Sequence, residues 1–410
     1  MKAIVKVRPQ NGCDWPKGLD LREMPDPRVI RPDDIKVRVL AAGICGSDVG
    51  IWNSKESFRE AMSQAEQSSV IIGHEFCGSI VDAGEQGRLR LASIIERHAL
   101  HDAEIQKFSR GRNSGELASD PRLLEFVQEQ YYCSAEMHVS CGWCYQCRLG
   151  DRHVCQNTKI KGVHEDGAFA DFVIIPSSNL ILFRKGEIPI QVIAFMDALG
   201  NAVHSVGEVN LTGRSVAILG AGVQGLMATA LSRRNGASRI YVTDFTPPAS
   251  PERAEHLEDN LFALARKFGA DHCFDLGLER GPERLRRTVN EETDGTGVDA
   301  VLEMSGNYGA YRDAFDVVRM GGTVALLGIP EGDLKLDFAR EIIFRGLTVK
   351  GIIGRRVFGT WETMRNLLRD GLADELIDSG IVSLELPLKD YEQGIRAILN
   401  RDAIKVILKP

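Results

Sequence analysis

The chain has 410 residues, of which 43% are apolar and 26% charged, the composition of a soluble globular protein with about two or three domains. Its 50 basic and 57 acidic residues give a formal charge of -7 without a basic run, so nucleic acid and anionic membranes are excluded as expected partners. No apolar stretch approaches the roughly 18 residues of a membrane helix, and no secretory signal is visible.

The cysteine pattern indicates a reducing environment. The chain holds nine cysteines, an odd number, and four of them are tightly clustered. Disulfide frameworks use paired cysteines in oxidising compartments, whereas clustered cysteines in a reduced protein are typical of metal binding. We therefore expect a cytoplasmic, metal-binding protein.

The first half of the chain alternates between strand-like and helical segments. Residues 1–85 are β-rich, with strand patterns at 35–44 and 70–84. Residues 86–130 are charged and helical in period, with a second short helix expected to begin near Asp120–Pro121. Residues 131–185 return to short strands around the cysteine cluster.

From about residue 190 the pattern predicts a buried parallel sheet. Five apolar, β-branched runs are separated mostly by helical segments, which is typical of strands covered on both faces. These runs are VAILG (216–220), IYVTD (240–244), AVLEM (300–304), TVALLG (323–328) and LTVKGI (347–352). A helix is expected at 361–371.

The motif GAGVQG (220–225) predicts a dinucleotide site because it follows a strand and opens a helix. Gly220 makes the tight turn, Gly222 lets the backbone approach a pyrophosphate, and Gly225 lets helix and strand pack closely. Asp244 ends the next strand, 19 residues after Gly225. Its carboxylate can bind a ribose 2′-hydroxyl and would repel a 2′-phosphate, so NAD is favoured over NADP. The alternative is a glycine turn with a capping aspartate.

The segment 246–259 follows Asp244 and is longer and more polar than a usual strand–helix turn. It is expected where an adenosine ribose would lie, so Arg253 could enter that site. A solvated surface excursion is the favoured interpretation, because charge runs usually face solvent.

Four cysteines with the spacing C-x2-C-x2-C-x7-C predict a closed structural zinc site. They are Cys141, Cys144, Cys147 and Cys155. Four thiolates this close in sequence can surround Zn²⁺ tetrahedrally. Disulfides and an iron–sulfur cluster are the alternatives.

A second, open metal site is predicted from two short motifs. GICGSD (43–48) supplies Cys45, and GHE (73–75) supplies His74 and Glu75. A thiolate, an imidazole and a carboxylate leave room for an exchangeable ligand on Zn²⁺. Alone, each residue would more often belong to the core, but the glycine loop and the cysteine cluster together favour metal binding.

Taken together, these motifs resemble the zinc-dependent medium-chain dehydrogenase/reductase superfamily. The segments DALGNAVHS (197–205), LEMSGNYGAYRDAFD (302–316), 326–356 and FGTW (358–361) are most similar to L-threonine 3-dehydrogenases. The polyol branch shares the glycine, GHE and cysteine motifs less specifically.

The resemblance implies an α/β fold in two domains. A GroES-like β-rich catalytic domain would hold residues 1–196 and 354–410, including the zinc lobe 138–157. A Rossmann NAD-binding domain with a doubly wound parallel sheet would hold 197–353. The active site would lie in the cleft, and a homodimer or homotetramer is expected.

The resemblance also implies the roles of single residues. Cys45, His74 and Glu75 match catalytic zinc ligands, so each chain would bind two Zn²⁺, one catalytic and one structural. Ser47 matches the hydroxyl that takes the substrate proton. Asp197 matches a carboxylate near the metal and His138 a histidine near the substrate pocket, although a helix cap and a loop polar residue remain the alternatives. The residues expected to contact the cofactor are Gly220, Gly222, Gln224, Gly225, Asp244, Leu327, Gly328, Ile329, Ile352 and Ile353.

The implied reaction is the reversible oxidation of a secondary alcohol, a small polar molecule, to a ketone with NAD. Zinc would act as a Lewis acid. Polyol, sugar or aminocyclitol oxidation is the alternative within the enzyme class, and a non-catalytic NAD-binding scaffold is the alternative outside it.

Three departures from the family pattern stand out. Gly50 replaces the histidine of the proton relay in the threonine branch, and Gln224 replaces an aliphatic residue in the glycine loop. Residues 86–130 lengthen the connection from His74 to Cys141 to 67 positions. This insertion leaves the β-rich domain after one active-site segment and returns before another, so we expect it to cover the cleft and to influence the substrate range.

Overall fold

A computed structural model describes residues 1–10, 12–99, 102–248 and 250–410. They form two compact units, one of Met1–Asp197 with Leu367–Pro410 and one of Ala198–Asn366. The order of the units along the chain is the expected one, with the second inserted into the first. The unit boundary at 366/367 lies 13 residues after the predicted return at 354. Among the described residues, no helix is long and apolar enough to span a bilayer.

The first unit is built on β-strands. Its strands are β1 (Lys2–Val7), β2 (Asp20–Glu23), β3 (Asp34–Gly43), β4 (Ser69–Ile71), β5 (Phe76–Ala83), β6 (Tyr131–Ala135), β7 (His138–Val139), β8 (Lys159–Ile160), β9 (Phe172–Pro176), β10 (Leu180–Arg184), β17 (Val382–Pro387) and β18 (Lys405–Lys409). The main sheet has the order β10-β6-β5-β3-β18-β17, and β9 also pairs with β3. Smaller sheets have the orders β2-β1-β4 and β7-β8.

The helices of the first unit are mostly short. They are α1 (Gly46–Trp52), α2 (Glu56–Ser63), α3 (Glu85–His98), α4 (Ala103–Ser109), α5 (Ser114–Ser119), α6 (Leu123–Gln130), α7 (Tyr145–Leu149), α8 (Ile190–Ala194), α16 (Ala373–Ser379) and α17 (Tyr391–Asn400). The core lies against β3, whose Ile35 and Val37 are fully buried.

The insertion 86–130 forms helices α3 to α6. Their apolar faces belong to the same core as the main sheet, because Leu91, Ile95, Leu117 and Leu123 are all fully buried within it. The region 86–130, expected to be helical in period, is divided among these four helices, and Leu100 and His101 lie outside the described residues. These helices are an integral part of the folded unit.

The insertion joins the main sheet at the ends of β5 and β6 that lie away from the predicted metal ligands. The expectation that the insertion covers the cleft stays a prediction, because the expected cleft involves both units. The insertion leaves at the end of β5 (Ala83) and returns at the start of β6 (Tyr131), whereas His74 precedes β5 and His138 follows β6. β5 has 8 residues, so at about 3.4 Å per residue its first and last residues are separated by roughly 24 Å. The insertion is therefore attached at the opposite end of these strands from the predicted metal ligands, although it is close to them in sequence.

The second unit contains a six-stranded parallel sheet of the order β13-β12-β11-β14-β15-β16. Its strands are β11 (Ser215–Leu219), β12 (Arg239–Asp244), β13 (His272–Asp275), β14 (Val298–Glu303), β15 (Val318–Leu326) and β16 (Thr348–Gly351). Its helices are α9 (Met196–Gly207), α10 (Val223–Arg234), α11 (Pro251–His256), α12 (Ala263–Lys267), α13 (Gly281–Glu292), α14 (Tyr308–Val317) and α15 (Gly359–Leu367). The first residues of α9 and the last residue of α15 belong to the first unit. The five predicted apolar runs are all strands of this sheet, and β13 is an additional one. The chain order reverses between β11 and β14, the position at which parallel α/β sheets bind ligands.

Candidate active site and cofactor loop

The predicted catalytic zinc ligands lie together in the first unit. Ligand atoms of Cys45, His74 and Glu75 all lie within 4.8 Å of one another. Cys45 caps the N-terminus of α1, and the other two occupy the loop between β4 and β5. Gly73, at φ +89°, makes this loop possible, because a β-carbon there would lie 2.1 Å from the ring of Phe169.

Asp48 places a buried negative charge beside the imidazole of this group, a feature that the sequence alone did not reveal. Its fully buried carboxylate accepts a hydrogen bond from the Cys45 backbone N–H at 2.8 Å, and its other oxygen lies 3.6 Å from Nδ1 of His74. A carboxylate on one ring nitrogen favours a proton there and leaves the other nitrogen as a ligand atom. That other nitrogen, Nε2, lies 3.2 Å from Ser47 Oγ and 4.0 Å from Asp197.

Glu75 forms an ion pair with Lys405, a residue 330 positions later in the chain. The Lys405 ammonium lies 2.5 Å from one carboxylate oxygen of Glu75 and donates a second hydrogen bond to the Ile44 carbonyl at 2.9 Å. Both side chains are almost completely buried. Burial raises the pKa of Glu75, and the neighbouring ammonium opposes that rise. One oxygen of Glu75 is therefore engaged and the other is available.

The donor set fits a divalent metal ion such as Zn²⁺. Nδ1 of His74, Oε1 of Glu75 and Oδ1 of Asp48 are buried and have no hydrogen-bond partner among the described residues. Burial alone would lower the pKa of His74, but the Asp48 carboxylate and the Cys45 thiol raise it well above its usual value. The group thus concentrates negative charge around one imidazole, which a bound cation would neutralise.

A second group of polar side chains adjoins the first. Glu136, His138 and Asp197 have ligand atoms within 4.8 Å of one another. The fully buried Glu136 carboxylate accepts from both the backbone N–H and the ring Nδ1 of His138 at 2.9 Å. The two predicted residues, His138 and Asp197, therefore lie near His74. Glu136 is a further member of this group that sequence reasoning missed. Its position two residues before His138 was the available signal.

The structure gives a physical reason for Gly50. A β-carbon at this position would lie 2.4 Å from the ring of Phe58. The aromatic ring therefore occupies the space into which a side chain at position 50 would extend.

The four clustered cysteines form a closed sulfur site. Cys155 Sγ lies 3.6 Å from Cys141 Sγ and 3.8 Å from Cys144 Sγ, and Cys147 joins the same group. A tetrahedron with Zn–S distances of about 2.3 Å places its sulfurs about 3.8 Å apart. None of the nine cysteines is in a disulfide. Burial raises the pKa of Cys141, but backbone N–H groups, including that of Trp143, lower it to about 6. The spacing of the sulfurs and this lowered pKa fit a zinc ion.

The glycine loop in the second unit has the geometry of a phosphate cradle. Gly220 adopts φ +111°, and a β-carbon at Gly225 would lie 1.7 Å from the Gly220 carbonyl oxygen. A β-carbon at Gly222 would meet nothing within 4 Å, so the backbone there is open to a ligand. Asp244 ends β12 and accepts a hydrogen bond from the Ala221 N–H at 2.9 Å. Gln224 is half-buried, and its carbonyl oxygen has no hydrogen-bond partner among the described residues.

The remaining predicted cofactor contacts follow β15 and β16. Leu327 and Gly328 donate backbone hydrogen bonds to the Glu303 carbonyl at the end of β14, at 3.0 and 3.3 Å. Ile329 and Ile353 are exposed, and Ile352 is buried. These side chains lie at the carboxyl ends of neighbouring strands, as their predicted role requires.

The described part of segment 246–259 contains the whole of α11, with Thr246 and Leu257 buried on either side of it. Arg253 is exposed in this helix, and Ala249 lies outside the described residues. No hydrogen bond connects the Arg253 side chain with the described part of the glycine loop. This exposure agrees with the favoured interpretation of a solvated excursion.

Comparisons with known proteins consistently find similarity to zinc-dependent dehydrogenases. The family model of zinc-binding dehydrogenases matches residues 224–370, and that of the alcohol dehydrogenase GroES-like domain matches residues 31–93. The L-threonine 3-dehydrogenases of Caldanaerobacter subterraneus and Bacillus velezensis are both 33% identical to this chain, over 100% of it and 99% of their own lengths. Alcohol dehydrogenase TADH from Thermus sp. ATN1 has a TM-score of 0.73 at 25% identity, covering 100% of this chain and 99% of that one. The predicted fold class, a GroES-like domain with a Rossmann domain, is confirmed.

Proposed function

Because this chain belongs to the zinc-dependent alcohol dehydrogenase family, we propose that it oxidises a secondary alcohol to a ketone, reversibly, with NAD as the hydride acceptor. One observation carries the proposal. Cys45, His74 and Glu75 bring a sulfur, a nitrogen and an oxygen within 4.8 Å of one another, and the Ser47 hydroxyl lies 3.2 Å from the imidazole of His74.

A Zn²⁺ ion held by these three residues would supply a Lewis acid that lowers the pKa of the substrate hydroxyl. The surrounding residues have distinct tasks. Asp48 favours a proton on Nδ1 of His74 through its nearby negative charge, and Lys405 fixes the orientation of Glu75. Ser47 accepts the proton that the substrate hydroxyl loses and passes its own hydroxyl proton on to water, because a hydroxyl can accept and donate at once.

We assign a second, structural zinc to the four cysteines and NAD to the glycine loop. NAD, when bound, supplies the hydride-accepting nicotinamide. Asp244 would select NAD over NADP, because its carboxylate repels a 2′-phosphate.

Asp244→Asn keeps an oxygen that can accept from the Ala221 N–H. The variant should therefore still bind NAD, but its ratio of kcat/KM for NAD to kcat/KM for NADP should be smaller than that of the wild type. An unchanged preference, measured as the ratio of kcat/KM values, would contradict this role.

For the substrate we propose a small amino alcohol related to threonine. The full-length relatives carry that name. The adjoining carboxylates of Glu136 and Asp197 are suited to attract an ammonium group. A polyol, sugar or aminocyclitol is the second candidate, and it is favoured by Gly50, since the relay histidine of the threonine branch is missing here.

The experiment is NADH formation with a panel of threonine, other amino alcohols, polyols and cyclitols. We expect the highest kcat/KM for an amino alcohol, and Glu136→Gln should reduce it more for amino alcohols than for polyols. Turnover of polyols alone would replace the first candidate with the second. An absence of turnover with every alcohol would contradict the proposed reaction.

We further propose that the chain assembles as a homodimer through the β16 edge of the second unit. Among the described residues, β16 pairs with β15 alone, and the preceding segment exposes Phe338, Ile343 and Phe344. An open edge strand beside apolar side chains is a typical pairing surface. Phe344→Glu should convert the dimer to a monomer in light scattering after size exclusion. A wild-type monomer would refute this assembly.

A further inference from the structure

A cavity of about 520 Å³ lies in the first unit, apart from the residues already assigned a function. Its walls come from the segment before β3, from β4 and the residues before it, from β8 and the turn that follows it, and from β9. Small-molecule sites usually measure about 300–1,000 Å³. The cavity is therefore large enough for a metabolite.

Some of the charged side chains around the cavity form ion pairs with one another, and others do not. Two of its cations are already paired, because Arg31 lies 2.9 Å from Asp34 and Lys161 lies 2.8 Å from Glu165. The Asp166 carboxylate in the wall is also engaged, since it accepts from the Ile71 N–H at 2.9 Å.

Three donors remain for a ligand. Arg28 and Lys159 both line the cavity, and neither has an ion pair within 4 Å among the described residues. His164 also lines it, and its Nδ1 accepts a hydrogen bond from the Ile160 N–H at 2.9 Å, so its Nε2 is left to donate. Burial and the Lys159 ammonium lower the pKa of His164, which keeps the ring neutral near pH 7. The wall also contains the exposed Glu66, whose carboxylate has no ion pair within 4 Å among the described residues. The two unpaired cations and the N–H donor outnumber this carboxylate and match a carboxylate or phosphate group of a ligand.

Apolar side chains complete the walls. Ile71, Phe172 and Ile174 line the same space as the charged donors. A site with both kinds of surface suits an organic anion, whose carbon skeleton can contact the apolar wall while its charged group reaches the cations.

The cavity wall is bonded directly to the segments that carry His74 and His138. Gly167 and Ala168 donate backbone hydrogen bonds to the carbonyls of Ile71 and Gly73, at 2.7 and 2.8 Å. On the other side, β8 pairs with β7, so that Ile160 lies opposite His138. A ligand in the cavity would thus touch the far side of two backbone segments that position the candidate active site.

We propose that this cavity binds a small organic anion carrying a carboxylate or phosphate group, and that its occupancy changes the turnover rate of the enzyme. Binding stands independently of the proposed function, whereas the effect on turnover rests on it.

The test is calorimetric titration of the full-length protein with succinate and, separately, with inorganic phosphate. The variant Arg28→Met/Lys159→Met removes both unpaired cations. Its matched control, Lys17→Met/Arg90→Met, removes the same charge from exposed residues that do not line the cavity. We expect one saturable site in the wild type and the control, and affinity at least about tenfold weaker in the cavity variant, because charge-assisted hydrogen bonds to the ligand are lost. Stronger binding of succinate or of phosphate identifies which group the site prefers.

Equal affinity in the two variants, or binding of neither probe by the wild type, overturns the cavity as an anion site. Turnover is then measured with the probe at saturation. A change in kcat in the wild type and control but not in the cavity variant supports the link to the active site, and an unchanged kcat in the wild type overturns it. A protein that binds the anion but oxidises no alcohol would contradict the proposed function while leaving the site intact.

Discussion

Replacing Lys405 by Met tests how the buried ion pair supports the candidate metal site. The substitution keeps most of the side-chain volume but removes the ammonium, which lies 2.5 Å from Glu75 and 2.9 Å from the Ile44 carbonyl. The two side chains of the pair are 1% and 0% exposed, so solvent cannot replace the lost partner. Breaking one half of a buried pair costs about 3–5 kcal/mol. We expect a loss of that size in the free energy of unfolding.

The chain offers a matched control on the same strand. Lys409 forms an ion pair with Glu385 at the same distance, 2.5 Å, but its side chain is 50% exposed. Since solvent screens an exposed pair, Lys409→Met should cost no more than about 1 kcal/mol.

Urea unfolding followed by tryptophan fluorescence measures both variants. Three of the four tryptophans, Trp15, Trp52 and Trp143, lie in the first unit and report on its unfolding. Adding Glu75→Gln to Lys405→Met should recover part of the loss, because the uncompensated buried charge disappears. Equal losses for the two lysine variants would refute the idea that Glu75 depends on a buried counter-ion.

Three further predictions concern proton transfer and the insertion. Ser47→Ala should lower kcat by about 10²–10⁴-fold and leave the NAD affinity unchanged. Ser47→Thr retains a hydroxyl and should keep most of the activity. Similar rates for the two variants would exclude Ser47 as the proton acceptor. Leu91→Ala should lower the free energy of unfolding in urea by about 2–5 kcal/mol, whereas Leu89→Ala, at an exposed position nearby, should lower it by about 0.5 kcal/mol. Equal losses would show that the insertion is not part of the core. The Arg122 guanidinium holds the pKa of Asp120 well below its usual range, so this carboxylate stabilises the fold above its unfolded pKa of about 3.9 and loses that effect as the pH falls. Asp120→Asn should therefore unfold more easily than the wild type at pH 7 and equally at low pH, and a difference that persists in acid would contradict the assignment.

Local sequence patterns sufficed for the parts of the site whose residues are close in the chain. The glycine loop and the four-cysteine cluster have spacings that sterics and metal geometry restrict strongly, so the residue types alone indicate their chemistry. The alternating strand and helix patterns likewise predicted the parallel sheet, because strands buried on both faces are continuous apolar runs.

Residues that depend on tertiary contacts could not be found in this way. Lys405 reaches Glu75 only because β18 pairs with β3 in the folded sheet. Nothing in the sequence around Gly50 indicates that the ring of Phe58 occupies the adjacent space. The insertion shows the same limit, since its ends are close to active-site residues in sequence but are separated from them by the lengths of β5 and β6.

The most direct test of the whole account is the zinc content of the purified protein and of two cysteine variants, measured by mass spectrometry together with NAD binding. We predict two zinc ions per chain in the wild type and one each in Cys45→Ser and Cys144→Ser. Cys45→Ser should bind NAD but show no turnover. One zinc or none in the wild type, or turnover retained by Cys45→Ser, would contradict a zinc-dependent reaction at this site and would favour a non-catalytic NAD-binding protein or a different catalytic group.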